Sequence, residues 1–261
     1  MAISSDPIPT TDAADVIEKI VYDFVKPSGF RRFGRTLHRF VEGDISQVIH
    51  FQNGCPQKGI PGLLWVNLGI RVPECQEKTF TPSLPLKKYY QEYQCNIRTT
   101  LSFCTDGKDV PYRLWKSPQK IAADIICKLE QSVLPVFDIL NSRDAILKYR
   151  EDYPRFDQMN HLVLLEATMI WGRRGDFPEA CGLFRRYYAQ VTEERKNALE
   201  NGRKIYLEKG QSLSYLNEKT GKTETVLAEK SGYYTIFHFP QAHLEYLKQL
   251  ASQLNIPLEN L

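Results

Sequence analysis

The residues able to ligate metals or act as nucleophiles are few and poorly spaced for either task. Five histidines and six cysteines are scattered so that neither a CxxC nor an HxxxH pair occurs. Zinc and related ions need three or four converging ligands, and most sites include one such short-range pair. His238 and His243 lie five positions apart, but Pro240 stands between them at an expected change from strand to helix. No metal and no cofactor is expected. Covalent catalysis fares no better, because no GxSxG elbow is present and an isolated thiol such as Cys104 is more often a small buried hydrophobe than a nucleophile. Gly221-Lys222-Thr223 imitates the tail of a phosphate loop, yet Leu216 stands where that loop needs glycine, so a plain hairpin turn is expected. No catalytic residue emerges.

Two constellations do carry binding chemistry. In residues 26–40, Lys26, Arg31, Arg32, Arg35 and Arg39 alternate with Phe30, Phe33 and Phe40, and no acidic residue intervenes. Basic charge among aromatics can face an acidic partner protein or track a nucleic-acid backbone. The plainer reading is a solvated strand face of arginines with phenylalanines turned inward, on which charge reversal at Arg35 and Arg39 leaves stability nearly unchanged. Arg31, Arg32, Arg35 and Arg39 are the candidate partner-binding residues, a protein with an acidic surface being favoured over nucleic acid. The second constellation follows from strand parity, since alternate residues of a strand share a face. His50, Gln52, Trp65, Asn67, Arg71, Asn96 and Arg98 fall opposite the apolar set Ile49, Phe51, Val66, Leu68, Ile97 and Leu101. If neighbouring strands pair in register, these seven form a platform for an anionic ligand or a peptide. The plainer reading is a solvated or helix-covered outer face.

The elements that must position these residues are legible from periodicity. Apolar positions at helical spacing predict a helix over residues 12–25, stopped by Pro27 and Gly29. Alternation on either side of Glu42-Gly43-Asp44 predicts a β-hairpin reaching Gln52. Residues 63–72 and 94–103 read as a third and a fourth strand, giving a mainly antiparallel sheet. Ser117 and Pro118 open a helix, with shorter helical segments over 133–140 and 142–150. Past Pro154 helices dominate: residues 160–171, a tight GRRGD connection, then 178–207. Residues 223–228 and 233–239 read as a strand pair, and 241–254 as an amphipathic closing helix. The fold class expected is α+β: a mainly antiparallel sheet packed with helices, then a helical C-terminal region with a small strand pair. Residues 1–15 read as a loose leader, 16–153 as the α+β domain, and 154–261 as a second part packed on it. The small-residue and aromatic spacing of 164–190 resembles a tetratricopeptide helix pair, but a single copy favours an ordinary helical hairpin.

Several segments together resemble a bacterial family, domain of unknown function 4304. They are Val25-Lys26-Pro27-Ser28-Gly29-Phe30, Gln47-Val48-Ile49-His50-Phe51-Gln52, Val66-Asn67-Leu68-Gly69-Ile70, the strand from Cys95 to Leu101, Trp115, and the 133–142 segment with its Leu134-Pro135 step. The resemblance runs over roughly residues 16–150; it implies an α+β fold and brings no activity.

Composition narrows the classes further. With 261 residues, 42% hydrophobic and 25% charged, the chain has globular proportions, and its apolar runs are far short of the roughly 20 residues that cross a bilayer. A net charge of +3 argues against a nucleic-acid coat. Cysteines without paired spacing, and an N-terminus without a basic and apolar leader, point to free thiols and the cytoplasm. The expected function is a non-enzymatic protein-interaction module, of inhibitor or immunity type. The alternative is an enzyme, or a binder of small or anionic ligands, using the polar face of the sheet.

Overall fold

The computed structural model describes residues 10–54, 62–76, 92–156 and 163–256. The first nine residues, Cys55 and the loop around it, and the expected helix start at Asn160 lie outside them. Two compact units are present, one ending at Glu166 and the other formed by the chain from Ala167 onward.

The first unit opens with α1 (Thr10–Val25), which begins two residues before the expected start and buries Ile17, Val21 and Val25 completely. Five strands follow in sheet order β1 (Arg31–Phe33), β2 (Thr36–Val41), β3 (Ile45–Asn53), β4 (Leu63–Arg71) and β5 (Ile97–Thr100), all antiparallel. Strands adjacent in sequence are thus adjacent in the sheet. The β2–β3 turn works because Glu42 adopts a positive φ of 45° ahead of Gly43, the backbone handedness that suits twisted hairpins. A short β6 (Tyr112–Arg113) pairs with the start of β4. One sheet face carries the apolar set: Leu37, Ile49, Phe51, Leu64, Val66, Leu68, Ile70 and Ile97 are at most 2% exposed. At about 1.5–3 kcal/mol for each large side chain removed from water, this face is the main source of the unit's stability.

The fourth strand is shorter than alternation predicts. After Ile97–Thr100 the chain turns into a helix, α2 (Leu101–Asp106), because the Thr100 hydroxyl accepts from the Phe103 backbone N–H at 3.3 Å and caps a helical turn. Leu101 is still fully buried, so the apolar pattern is met by a helix. Then α3 (Pro118–Lys128) opens on Ser117 and Pro118 as expected and runs through one π-helical turn (Leu129–Val133) into α4 (Leu134–Ile139). There Phe137 packs against Phe30 and Phe156, at ring separations of 6.1 and 5.3 Å. The unit continues through α5 (Arg143–Tyr149), and its boundary falls within α6 (Val163–Arg174).

In the second unit the end of α6 turns at Gly175 into α7 (Phe177–Asn201), whose first turn is capped by Asp176. This is the expected helical hairpin, but α7 stops six residues before Leu207. Gly202 takes a φ of +77° and ends it; a Cβ there would also lie 2.2 Å from the Thr235 methyl group. The chain then forms β7 (Arg203–Leu207), β8 (Ser212–Asn217), β9 (Lys222–Leu227) and β10 (Gly232–Ile236). The expected pairing of the last two strands is corrected: β9 pairs with β8 across the Gly221 turn, and β10 pairs with β7. A closing helix, α8 (Gln241–Gln253), buries Leu244, Leu247 and Leu250. Among the described residues no helix is long and apolar enough to cross a membrane.

Candidate functional site

The polar face of the first unit's sheet is a lattice of two complete rows. One row runs Phe33, Thr36, His50, Asn67, Thr100 across all five strands, and the next runs Arg31, His38, Val48, Gly69, Arg98. The pair Ser46 and Arg71 lies at one end of the lattice, and Gln52 with Trp65 at the other. Register therefore makes His50, Gln52, Trp65 and Asn67 a two-by-two corner on the inner strands β3 and β4. Directly opposed residues have Cβ atoms about 5 Å apart, and the next pair along the strands lies about 7 Å away.

Each member of this corner is held by one anchor. The Asn67 side-chain N–H donates to Gln52 Oε1 at 2.8 Å, and the Thr36 hydroxyl lies 2.9 Å from His50 Nδ1. The Trp65 indole lies against the backbone at Gly54, where a Cβ would come within 2.6 Å of the ring, so only glycine admits the ring there. Among the described residues no protein group pairs with Gln52 Nε2, Asn67 Oδ1, His50 Nε2 or Trp65 Nε1. Gln52 is exposed, and His50 and Trp65 are half-buried. Burial, helped by the Arg35 charge, pulls the His50 pKa below its ordinary value, so the imidazole is neutral at pH 7. The corner thus offers two N–H donors, a carbonyl acceptor and a neutral imidazole nitrogen, with no formal charge.

Most of the rest of the face is closed or committed, with Arg31 and Phe33 exposed on the edge strand β1. His38, Ser46 and Val48 are fully buried and Arg71 is 5% exposed. His38 Nδ1 lies 3.3 Å from Ser46 Oγ, and its ring stacks on Phe40. Burial, followed by the nearby His50, lowers the His38 pKa to about 4. Arg98 donates to the Tyr93 carbonyl at 3.0 Å and lies 3.6 Å from Glu92. Asn96 accepts from the Val72 N–H and donates to Glu166, which forms a buried ion pair with Arg150. Of the seven sequence-selected residues, four converge with free hydrogen-bonding atoms, whereas Asn96 and Arg98 serve local structure and Arg71 is buried.

The basic stretch divides in a similar way. Arg32 and Arg35 both pair with Glu18, Arg35 also with Asp15, and Glu18 is 1% exposed; burial pushes its carboxyl pKa up against the pull of the two guanidinium groups. Arg39 donates to Gln47 Oε1 at 2.6 Å, pairs with Asp138 at 2.8 Å and lies over the Phe30 ring. It is not the solvated residue expected, and its side chain is only 13% exposed. Arg31 is exposed and has no ion-pair partner among the described residues, and Phe33 and Phe40 are 53% and 42% exposed. Two residues escaped the parity argument. Thr36, which orients His50, lies within the alternating stretch after Gly34 but is not among the residues assigned to the polar face. Gln47, fully buried on the apolar face, donates to the Phe137 and Leu140 carbonyls and so ties β3 to the end of α4. An amide at a core parity position is itself the signal that could have found it.

Other clusters are structural in character. Arg143 is shared by Glu42, Asp44 and Glu74. A cleft of about 570 Å³ runs beside α3, lined by Tyr112, Lys116, Lys120 and Asp124, with the Tyr112 hydroxyl donating to Asp124 at 2.7 Å. Cys75, Cys95, Cys104, Cys127 and Cys181 are free thiols, and no group of three or more metal-ligating side chains converges among the described residues.

Residues 21–139 match the family model described as Domain of unknown function (DUF4304). This stretch holds β1 to α4 and so the whole polar lattice. No curated protein and no solved structure matches the chain.

Proposed function

We propose that the chain is a non-enzymatic binding protein of the bacterial cytoplasm, and that it recognises a ligand through the His50, Gln52, Trp65 and Asn67 corner. The observation that carries this reading is the convergence, on the inner strands β3 and β4, of four hydrogen-bonding atoms without a protein partner among the described residues. These atoms face water and are held in place by the strands, so a ligand that brings its own donors and acceptors can exchange with that water. Catalysis is disfavoured by the chemistry present. His38 is buried with a pKa of about 4, Cys104 is pushed up to about 11, and burial raises the Cys75 and Cys95 thiols further still. These are poor bases and nucleophiles at neutral pH.

A second reading is favoured by a separate observation. Arg31, Phe33 and Phe40 stand exposed on β1 and β2, and an aromatic and arginine mixture of this kind suits a protein partner with an acidic rim, as an inhibitor or immunity-type protein would need. The test is thermal shift of wild type, Gln52→Ala and Arg31→Glu against a metabolite panel. A ligand that raises the melting temperature of wild type and Arg31→Glu but not of Gln52→Ala is the expected result. Ligands that shift all three equally would refute the corner as the recognition surface.

A further inference from the structure

We infer that the corner formed by His50, Gln52, Trp65 and Asn67 takes an uncharged, hydroxyl-bearing ring, the chemistry of a neutral saccharide. This rests on reading that corner as the recognition surface, and three observations narrow the ligand class. The first is the pattern of unused atoms. Gln52 Nε2 and Trp65 Nε1 donate, Asn67 Oδ1 accepts, and His50 Nε2 does either according to its tautomer. Donors and acceptors interleaved over an area of roughly 5 by 7 Å suit hydroxyl groups, each of which gives one hydrogen bond and takes others. An ionised carboxylate, which only accepts, would bring no donor to Asn67 Oδ1.

The second observation concerns cations. An anionic ligand would need a guanidinium group beside the corner, but Arg98 is turned to Tyr93 and Glu92, Arg35 to Asp15 and Glu18, and exposed Arg31 stands on β1, two strands or about 10 Å from β3. Arg71, paired in register with Ser46, lies at the far end of the lattice and is buried. The third is topology. His50 and Asn67 lie where both strands are paired on two sides, and β6 takes up the pairing of β4 again at Leu64, so beside Gln52 and Trp65 only about two residues of each strand have an open edge, too few for an extended peptide to add as another strand. Recognition must come from side chains alone, and the half-buried indole of Trp65 adds an apolar surface of the kind that the C–H face of a sugar ring covers.

The experiment has two stages. The labelled full chain is first applied to an array of immobilised neutral, N-acetylated, sulfated and sialylated glycans. Titration calorimetry then compares wild type with Gln52→Ala and Trp65→Phe, using cellobiose, maltose and diacetylchitobiose as soluble probes. Gln52 is exposed, so its truncation leaves the fold intact, and a thermal melt of each variant confirms this. The expected result is binding confined to neutral glycans, weakened at least roughly fivefold in Gln52→Ala, the loss that one hydrogen bond represents. Binding only of sulfated or sialylated glycans, or of no glycan at all, overturns the saccharide assignment. If a non-saccharide ligand from the metabolite panel still depends on Gln52, the corner stands and only the ligand class is wrong. Glycan binding that Gln52→Ala and Trp65→Phe leave unchanged overturns both.

Discussion

Acidification should weaken the first unit through His38, by an amount that its environment allows to be worked out. The imidazole is fully buried between β1 and β3, beside Ser46 and Phe40, and its pKa falls from 6.5 to about 4. A base whose pKa is lower in the folded state binds its proton more tightly when unfolded, so stability is fully present above pH 6.5 and is lost as the pH falls toward 4. At pH 5 the unfolded histidine is almost wholly protonated and the folded one hardly at all, which costs about 2 kcal/mol relative to pH 7. His50 shifts in the same direction and adds to the slope. The decisive comparison is therefore with His38→Gln, which keeps a polar side chain of similar length but cannot titrate. Urea unfolding at pH 7 and pH 5, followed by hydrogen exchange at the β2–β4 amides, should show wild type losing about 2 kcal/mol more than the variant. Parallel losses in the two proteins would refute the assignment of a neutral, unprotonated His38 at pH 5.

Arg39→Glu should destabilise by about 2–4 kcal/mol in denaturant melts, since it strips a bonded partner from buried Gln47 and a cation from Phe30. Arg31→Glu, on an exposed edge, should stay within about 0.5 kcal/mol, and equal effects at the two positions would contradict the division of the basic stretch. Replacing Arg150 with Met should cost about 3–5 kcal/mol by leaving buried Glu166 uncompensated, whereas the Arg150→Met, Glu166→Leu double variant should recover much of the loss; a double variant no better than the single would show that the ion pair is not the cause. In a timed iodoacetamide reaction read by peptide mass spectrometry at pH 8, exposed Cys127 should modify before Cys75, Cys95 and Cys104, whose thiols burial disfavours as thiolates. Early modification of Cys95 would contradict its burial.

The hairpin and the polar corner were legible because strand parity has a period of two: once Ile49 and Phe51 point inward, His50 and Gln52 must point the other way. The family resemblance noted over the N-terminal half coincides with the matched residues, and two of its motifs, 47–52 and 66–70, are the paired inner strands. Parity says nothing of what lies above a face. It could not show that Arg71 is buried while Gln52 is open, nor that the acidic partners of Arg32 and Arg35 come from Asp15 and Glu18, one turn apart on α1. Helix 101–106 was misread as strand because Leu101 and Phe103 continue the alternation, and the capping role of Thr100 outweighs it. At the C-terminal end, a helical pattern running to Leu207 hid the break at Gly202, and in residues 212–217 the alternation of Leu213 and Tyr215 is broken by exposed Leu216.

The π-helical turn between α3 and α4 makes chain length itself a structural variable. A π turn holds one more residue than the α-helical turn it replaces, and Pro135 follows immediately, without an N–H to continue the ordinary ladder. Everything after Val133 is thereby rotated by about 100° relative to an uninterrupted helix. That offset is what aims Phe137 at Phe30 and Phe156 and brings the Phe137 and Leu140 carbonyls to Gln47. A relative of this domain lacking one residue here could keep every side-chain type and still present the wrong face to its sheet. An insertion or deletion at 129–133 would accordingly disturb this core more than a conservative exchange of the residues around it.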